Sequence, residues 1–482
     1  MTRPDVVVVG SGPNGLAAAV TLARANLRVL VLEAEPTVGG GARTLDLGLA
    51  DGVVHDVCSA VHPMAWASPF FRELDLPARG VELLVPDVSY AQPLPGGRAG
   101  IAYRDLDRTV EALGVDGPAW RSLVGGDPST VVRLALGDKR SVPAVSPRRA
   151  AHFGLAVLEQ GTRAWDRRFL DDVAPALLTG VAAHAISPMP SFAAAGTALL
   201  LGTLAHAEGG WPIPRGGSGA LTAALVEDLE AHGGTIRTDH RVRGHADLPV
   251  AHCYVFDTTP RTLVEVLGDR LPARTRAALE AFEYGDAAAK VDFVLDGPVP
   301  WTVPEVGRAG TVHVGGTRAE MARAEATVAS GRHAELPMTL VSDPAVVDER
   351  RVVHGRRPLW TYAHVPSGSD VDVTEAVTRH IERFAPGFRD VVVTSRCTPA
   401  ARLSEHNQNY VDGDISAGRA SIRQLFARPT WRFDPYFSGR DGVYLCSAST
   451  PPGPGVHGLG GWYAAKRVLR EFGITTTPSL AP

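Results

Sequence analysis

The stretch Asp5-Val-Val-Val-Val-Gly10-Ser-Gly-Pro-Asn-Gly15-Leu-Ala-Ala-Ala-Val20 decides the fold. Four consecutive valines predict a buried strand over 5–9, and the alanine-rich run after the glycine turn predicts a helix over 13–25. A second strand over 28–32 ends in Glu33, so a βαβ unit closes within 33 residues. Gly10, Gly12 and Gly15 fit the G-x-G-x-x-G spacing, with Ala19 at the helix–sheet contact and an acid 23 residues after the first glycine. Gly10 permits the tight turn, Gly12 lets the backbone approach a pyrophosphate, and Gly15 allows close packing. Ser11, Pro13 and Asn14 complete a loop whose N–H groups and helix dipole favour phosphate. Glu33, followed by Ala34, is placed to accept hydrogen bonds from ribose hydroxyls. These residues predict a dinucleotide site.

The segment after Glu33 narrows the ligand. Glu33-Ala-Glu-Pro-Thr-Val-Gly-Gly-Gly-Ala-Arg-Thr44 carries a second glycine cluster. It resembles that of the flavoproteins that include amine oxidases and carotenoid desaturases, where such a cluster wraps the pyrophosphate of FAD. The resemblance implies FAD, held by Gly40 and Gly41 among others. An Arg commonly follows the first two glycines in that superfamily. Here the position is Gly41, and Arg43 becomes the candidate phosphate partner.

Near the C-terminus, Gly442 to Lys466 reads as a strand, a Pro/Gly loop and a helix from about Val456. The resemblance implies that this helix points its N-terminus at the flavin, with Ser449, Pro452, Val456 and Gly458 around it. Such a dipole is worth about 0.3–2 kcal/mol to an anion. A helix over 220–232 is followed by a strand over 235–242, and the resemblance implies that the end of this strand, Val242, lies beside the adenine. The segment 243–251 is shorter than the β-meander that relatives carry there.

Composition excludes several other functions. In 482 residues the net charge is −4, with no long run of like charge to attract nucleic acid. Cys58, Cys253, Cys397 and Cys446 are far apart, which disfavours a disulfide framework, and no metal-ligand spacing occurs. The first apolar run is too short for a signal-peptide core, so a cytoplasmic location is expected.

Most of the chain resembles the phytoene desaturase-like FAD oxidoreductases, in particular the subgroup named pyridine nucleotide-disulphide oxidoreductase domain proteins. The stretches that carry this are His55 to Pro63, Ala289 to Pro298, Ala309 to Gly316, Phe384 to Arg389, Asn407 to Gly418 and Arg423 to Pro429. The resemblance implies an α/β fold, with a Rossmann-type FAD domain (1–70, 211–262 and 430–482) interleaved with an α+β substrate domain. That second domain (71–210 and 263–429) would be built on an antiparallel sheet. The subgroup's name suggests disulfide chemistry, yet the chain has no redox cysteine pair and no second dinucleotide fingerprint.

The activity implied is hydride removal from a lipophilic or bulky organic substrate, with electrons passed to oxygen or a quinone-like acceptor. A saturase or isomerase, and a non-catalytic flavoprotein binding partner, stand as alternatives. Lys290 is the first catalytic candidate, because a strand lysine holds a water near the flavin in amine-oxidase-like proteins. His62 and His457 are the others, since each flanks a segment near the flavin and imidazole titrates near neutrality. Asp56 reads as a backbone anchor, and Glu405-His406 with Asn407 and Asn409 as a solvated loop, with a polar end of the cavity as the alternative. Tyr284, Phe293, Trp301, Trp360 and Tyr362 read as core more than cavity. The uncharged run 186–207 reads as a buried helix, with peripheral membrane contact, like a homodimer, left open.

Overall fold

The structure, a computed structural model, describes residues 3–141 and 143–482. Its first strand, β1 (Val6–Val9), is wholly buried because both faces are covered. Val6 and Val8 pack on helix α1 (Pro13–Ala23), whereas Val7 and Val9 pack on Phe256, Leu263 and Val266. A strand covered on two sides needs an unbroken apolar run, which four valines supply. Strand β2 (Val29–Leu32) pairs with β1 in parallel.

Three more parallel strands complete this sheet. Its order is Val443–Leu445, Cys253–Phe256, β1, β2 and Thr235–Arg237. Helix Leu459–Glu471 lies so close to α1 that a Cβ at Gly461 would overlap the Asn14 carbonyl. The expected boundary at 262 falls short on one side. Leu263, Val266, Leu267, Leu271 and Leu279 join Val7 and Val9 in one core, so this layer runs on to about residue 280.

A second sheet has seven strands, in the order Val392–Thr398, Ala287–Leu295, Arg357–Val365, Thr339–Ser342, Thr311–Val314, Val88–Leu94 and Arg98–Tyr103. Its pairings are antiparallel as expected, except that Thr311–Val314 runs parallel to Val88–Leu94. Strand alternation sorts its two faces. Val291, Phe293, Leu359 and Ala363 pack on Val377, Ile381 and Phe388, while Trp360, Tyr362 and Leu340 turn the other way. Phe293 and Trp301 thus pack in the core on one face of this sheet, and Trp360 and Tyr362 in the core on the other.

The run 186–207 forms the helix Phe192–Ala205, packed among Leu178, Val181 and Trp211. Among the described residues no helix is long and apolar enough to cross a membrane.

Candidate active site

The carboxyl ends of the parallel strands open onto a cavity of about 710 Å³ that continues to the inner face of the seven-stranded sheet. That is where a doubly wound sheet binds its ligand. Gly10, at φ +98°, makes a turn that an L side chain resists. A Cβ at Gly12 would lie 2.5 Å from Asp257 Oδ2, and one at Gly15 would collide with the Gly10 carbonyl.

The dinucleotide end presents backbone donors. The amides of Gly12, Asn14, Gly40 and Gly41 line the cavity and have no acceptor among the described residues. Neighbouring amides are taken: Ser11 N–H donates to Glu33 Oε2 at 2.9 Å, and Gly15 N–H to Asp257 Oδ2 at 2.8 Å. Glu35 N–H donates to the other Glu33 oxygen at 2.9 Å, which fixes that carboxylate at the cavity wall. Arg43 donates to the carbonyls of Gly40 and His406 and to Thr37 Oγ1. The absent Arg at Gly41 has a steric cause, since Tyr410 Oη occupies the space a Cβ would need.

Of the remaining expected cofactor residues, Ser11, Pro13, Ala34, Val242, Pro452 and Val456 line the cavity. Gly15, Ser449 and Gly458 do not. Gly15 packs behind the loop, Ser449 Oγ donates to the Ala417 carbonyl at 2.7 Å, and Gly458 caps the last helix at φ +67°. That helix begins at Leu459, later than expected. Its first amides are already bound: Leu459 N–H donates to His457 Nδ1 at 3.1 Å and Gly460 N–H to Asn14 Oδ1 at 3.1 Å.

The catalytic candidates separate clearly. His457 uses both ring nitrogens within the fold, because Nε2 also meets the Gly453 carbonyl at 3.2 Å. It is a helix cap, not a free base. Lys290 is buried in an ion pair with Asp292 and lies 5.8 Å from the ring of Trp360, outside the cavity lining. His62 does line the cavity. Its Nε2 donates to Ser218 Oγ at 2.8 Å, since that hydroxyl itself donates to the Ser59 carbonyl. Burial, opposed by Asp56, lowers its pKa to about 4, so the ring is neutral at pH 7. Asp56 is an anchor as expected, paired with Arg351 at 3.0 Å and accepting Ser218 N–H.

Other wall residues take the less expected of two readings or were not named. His406, Asn407, Asn409 and Tyr410 belong to the cavity wall and not to a solvated loop, because Arg43 and Asp257 draw them inward. Asp257 ends its parallel strand against the three glycines, and burial together with Glu33 raises its pKa to about 7. Its position at a strand's carboxyl end was the available signal. His184 and Arg428 also line the cavity; Arg428 lies in the stretch Arg423 to Pro429 but was not singled out there, and no local motif marks His184.

Residues 14–244 match the family of flavin containing amine oxidoreductases. The rat pyridine nucleotide-disulfide oxidoreductase domain-containing protein 2 is 24% identical, over 97% of this chain and 94% of its own length. Among solved structures, a putrescine oxidase superposes with a TM-score of 0.60 at 16% identity, covering 98% of this chain and 99% of that one. Cyclohexylamine oxidase from Brevibacterium oxydans gives 0.59 at 15%, covering 98% and 100%. The likeness to these structures shows the fold. The match to flavin containing amine oxidoreductases, together with the four open amides of the cavity, supports FAD as the cofactor and the chain as an FAD-dependent oxidoreductase.

Proposed function

We propose that the protein is a desaturase-like FAD-dependent dehydrogenase acting on a lipophilic or bulky organic substrate, with electrons passed to oxygen or a quinone-like acceptor. The observation that carries this reading is the lining beyond the dinucleotide residues. Phe153, Val157, Phe192, Leu200, Leu201, Trp211, Leu340, Trp360 and Tyr362 form an aromatic and aliphatic wall continuous with the FAD end. Such a wall binds apolar carbon and excludes water.

FAD, when bound, supplies the hydride acceptor, so the chain's own task is chiefly positioning. Glu33 would hold the ribose, and the amides of Gly12, Asn14, Gly40 and Gly41, with Arg43, would hold the diphosphate. His62, neutral and with Nε2 engaged by Ser218, keeps Nδ1 to accept a proton from substrate. Thiol chemistry has no support. The four cysteines are free, and burial raises Cys253 to about 12, Cys397 to about 11, and Cys58 and Cys446 upward as well.

The test is anaerobic mixing of FAD-loaded protein with apolar alkenes, terpenoids and amines. Bleaching of the flavin by an apolar compound, restored by oxygen or a quinone, is the expected result. Bleaching by amines alone would overturn the reading.

A further inference from the structure

The two ends of the cavity differ in charge. Its lining carboxylates, Glu33, Glu35 and Asp257, all lie at the dinucleotide end, and the wall of Phe192, Trp211, Leu340 and Trp360 contains none. Besides His62, one further imidazole interrupts that wall. His184 sits in the single turn Ala183–Ala185, half-buried with one side on the cavity.

His184 is held from behind. Its Nε2 lies 2.9 Å from Nε2 of His313, a wholly buried residue of the strand Thr311–Val314. Two neutral imidazoles can share this contact, one donating and one accepting. Burial supports neutrality, holding His184 near 3 and His313 well below the ordinary value. The rings of Tyr90, at 5.3 Å from His313, and Trp211, at 5.6 Å from His184, fix the pair laterally.

The backbone is shaped to admit this arrangement. A Cβ at Gly180 would lie 2.8 Å from that of His313, so only glycine leaves room. Ile186, two residues after His184, adopts φ +42° and ψ +63°, a conformation rare for a β-branched residue. With Nε2 committed to His313, Nδ1 of His184 has no protein partner among the described residues.

We propose that His184, positioned by His313, recognises an oxygen function, a hydroxyl or a carbonyl, on an otherwise apolar substrate. The inference rests on the lipophilic-substrate reading above and specifies its polar end. A neutral imidazole nitrogen accepts from a hydroxyl or donates to a carbonyl, and it has no charge with which to attract a carboxylate. A hydrocarbon would leave that nitrogen unpaired in a dry site, which weakens binding.

The test uses the full-length FAD-loaded protein and three probes of equal chain length, decane, decanol and decanone, delivered in the same detergent. Binding is read anaerobically from the perturbation of the flavin spectrum. Decanol or decanone is expected to bind at least about tenfold tighter than decane. In His184→Leu and His313→Leu the preference should fall below about threefold, with FAD content unchanged and decane bound no more weakly than by the wild type, while His184→Asn retains part of it. Equal affinity of the three probes for the wild type overturns the proposal and leaves the lipophilic reading standing. A preference that survives in His184→Leu overturns the assignment to this residue. If none of the probes perturbs the flavin, the lipophilic reading itself fails.

Discussion

The two sheets meet one cavity with opposite chemistry. The parallel sheet offers it backbone: a glycine turn, open amides and a carboxylate locked at the end of β2. The seven-stranded sheet offers it side chains, Leu340, Trp360 and Tyr362. Backbone recognition suits a ligand part that never changes, because it depends on glycines at fixed spacing. Side-chain recognition can vary freely on a constant scaffold. On the proposed function the difference separates a cofactor half from a substrate half and gives each its own way to fail.

The largest effect is expected at Gly15. A Cβ there meets the Gly10 carbonyl, backbone that cannot move aside, so Gly15→Ala should abolish FAD retention and lower the melting temperature. Retention of FAD by this variant on size exclusion would break the comparison at its first term.

On the other sheet, Lys290→Met should strand the buried Asp292 carboxylate and cost about 3–5 kcal/mol in urea melts. The double variant Lys290→Met with Asp292→Leu should recover most of that loss. A single variant of full stability with slowed flavin reoxidation would return Lys290 to the chemistry.

Asp257 gives a pH dependence of similar size. Burial and the charge of Glu33 raise its pKa to about 7, so the native state holds this proton where the unfolded chain, at about 4, has lost it. Stability of the FAD-free protein should therefore fall as pH rises from about 4 to about 7, by at most about 4 kcal/mol, and level off above. Asp257→Asn should remove this fall, measured by denaturant melts at several pH values. Parallel profiles for the two proteins would mean that Asp257 ionises normally.

The smallest effect is at Arg43. Arg43→Ala should weaken FAD binding by about tenfold to a hundredfold, or about 1.4–2.8 kcal/mol, with the apolar wall unaffected. Isothermal titration reads it directly, and an unchanged affinity would assign the diphosphate to the amides alone.

Legibility followed the same division. The glycine loop, Glu33, Gly40 and the partner strand of β1 could be read because each backbone constraint leaves a residue type at a fixed offset. Gly41 stood out as a departure, but its cause did not, since Tyr410 lies far along the chain. His457 pointed toward chemistry from its place in the Pro/Gly loop, and only geometry shows its ring bound to an amide and a carbonyl. His184 left no local trace. Its role depends on His313, 129 residues away, through a contact that no spacing rule encodes.

The central claim is that the first glycine loop, Glu33 and Val242 grip the adenylate half of a dinucleotide. Titration of FAD-free protein with FAD and, separately, with FMN tests it most directly. The account predicts one FAD bound per chain and FMN binding weaker by at least about a thousandfold, since FMN lacks the adenylate part these residues hold. Equal affinity for the two flavins, or none for either, would contradict it.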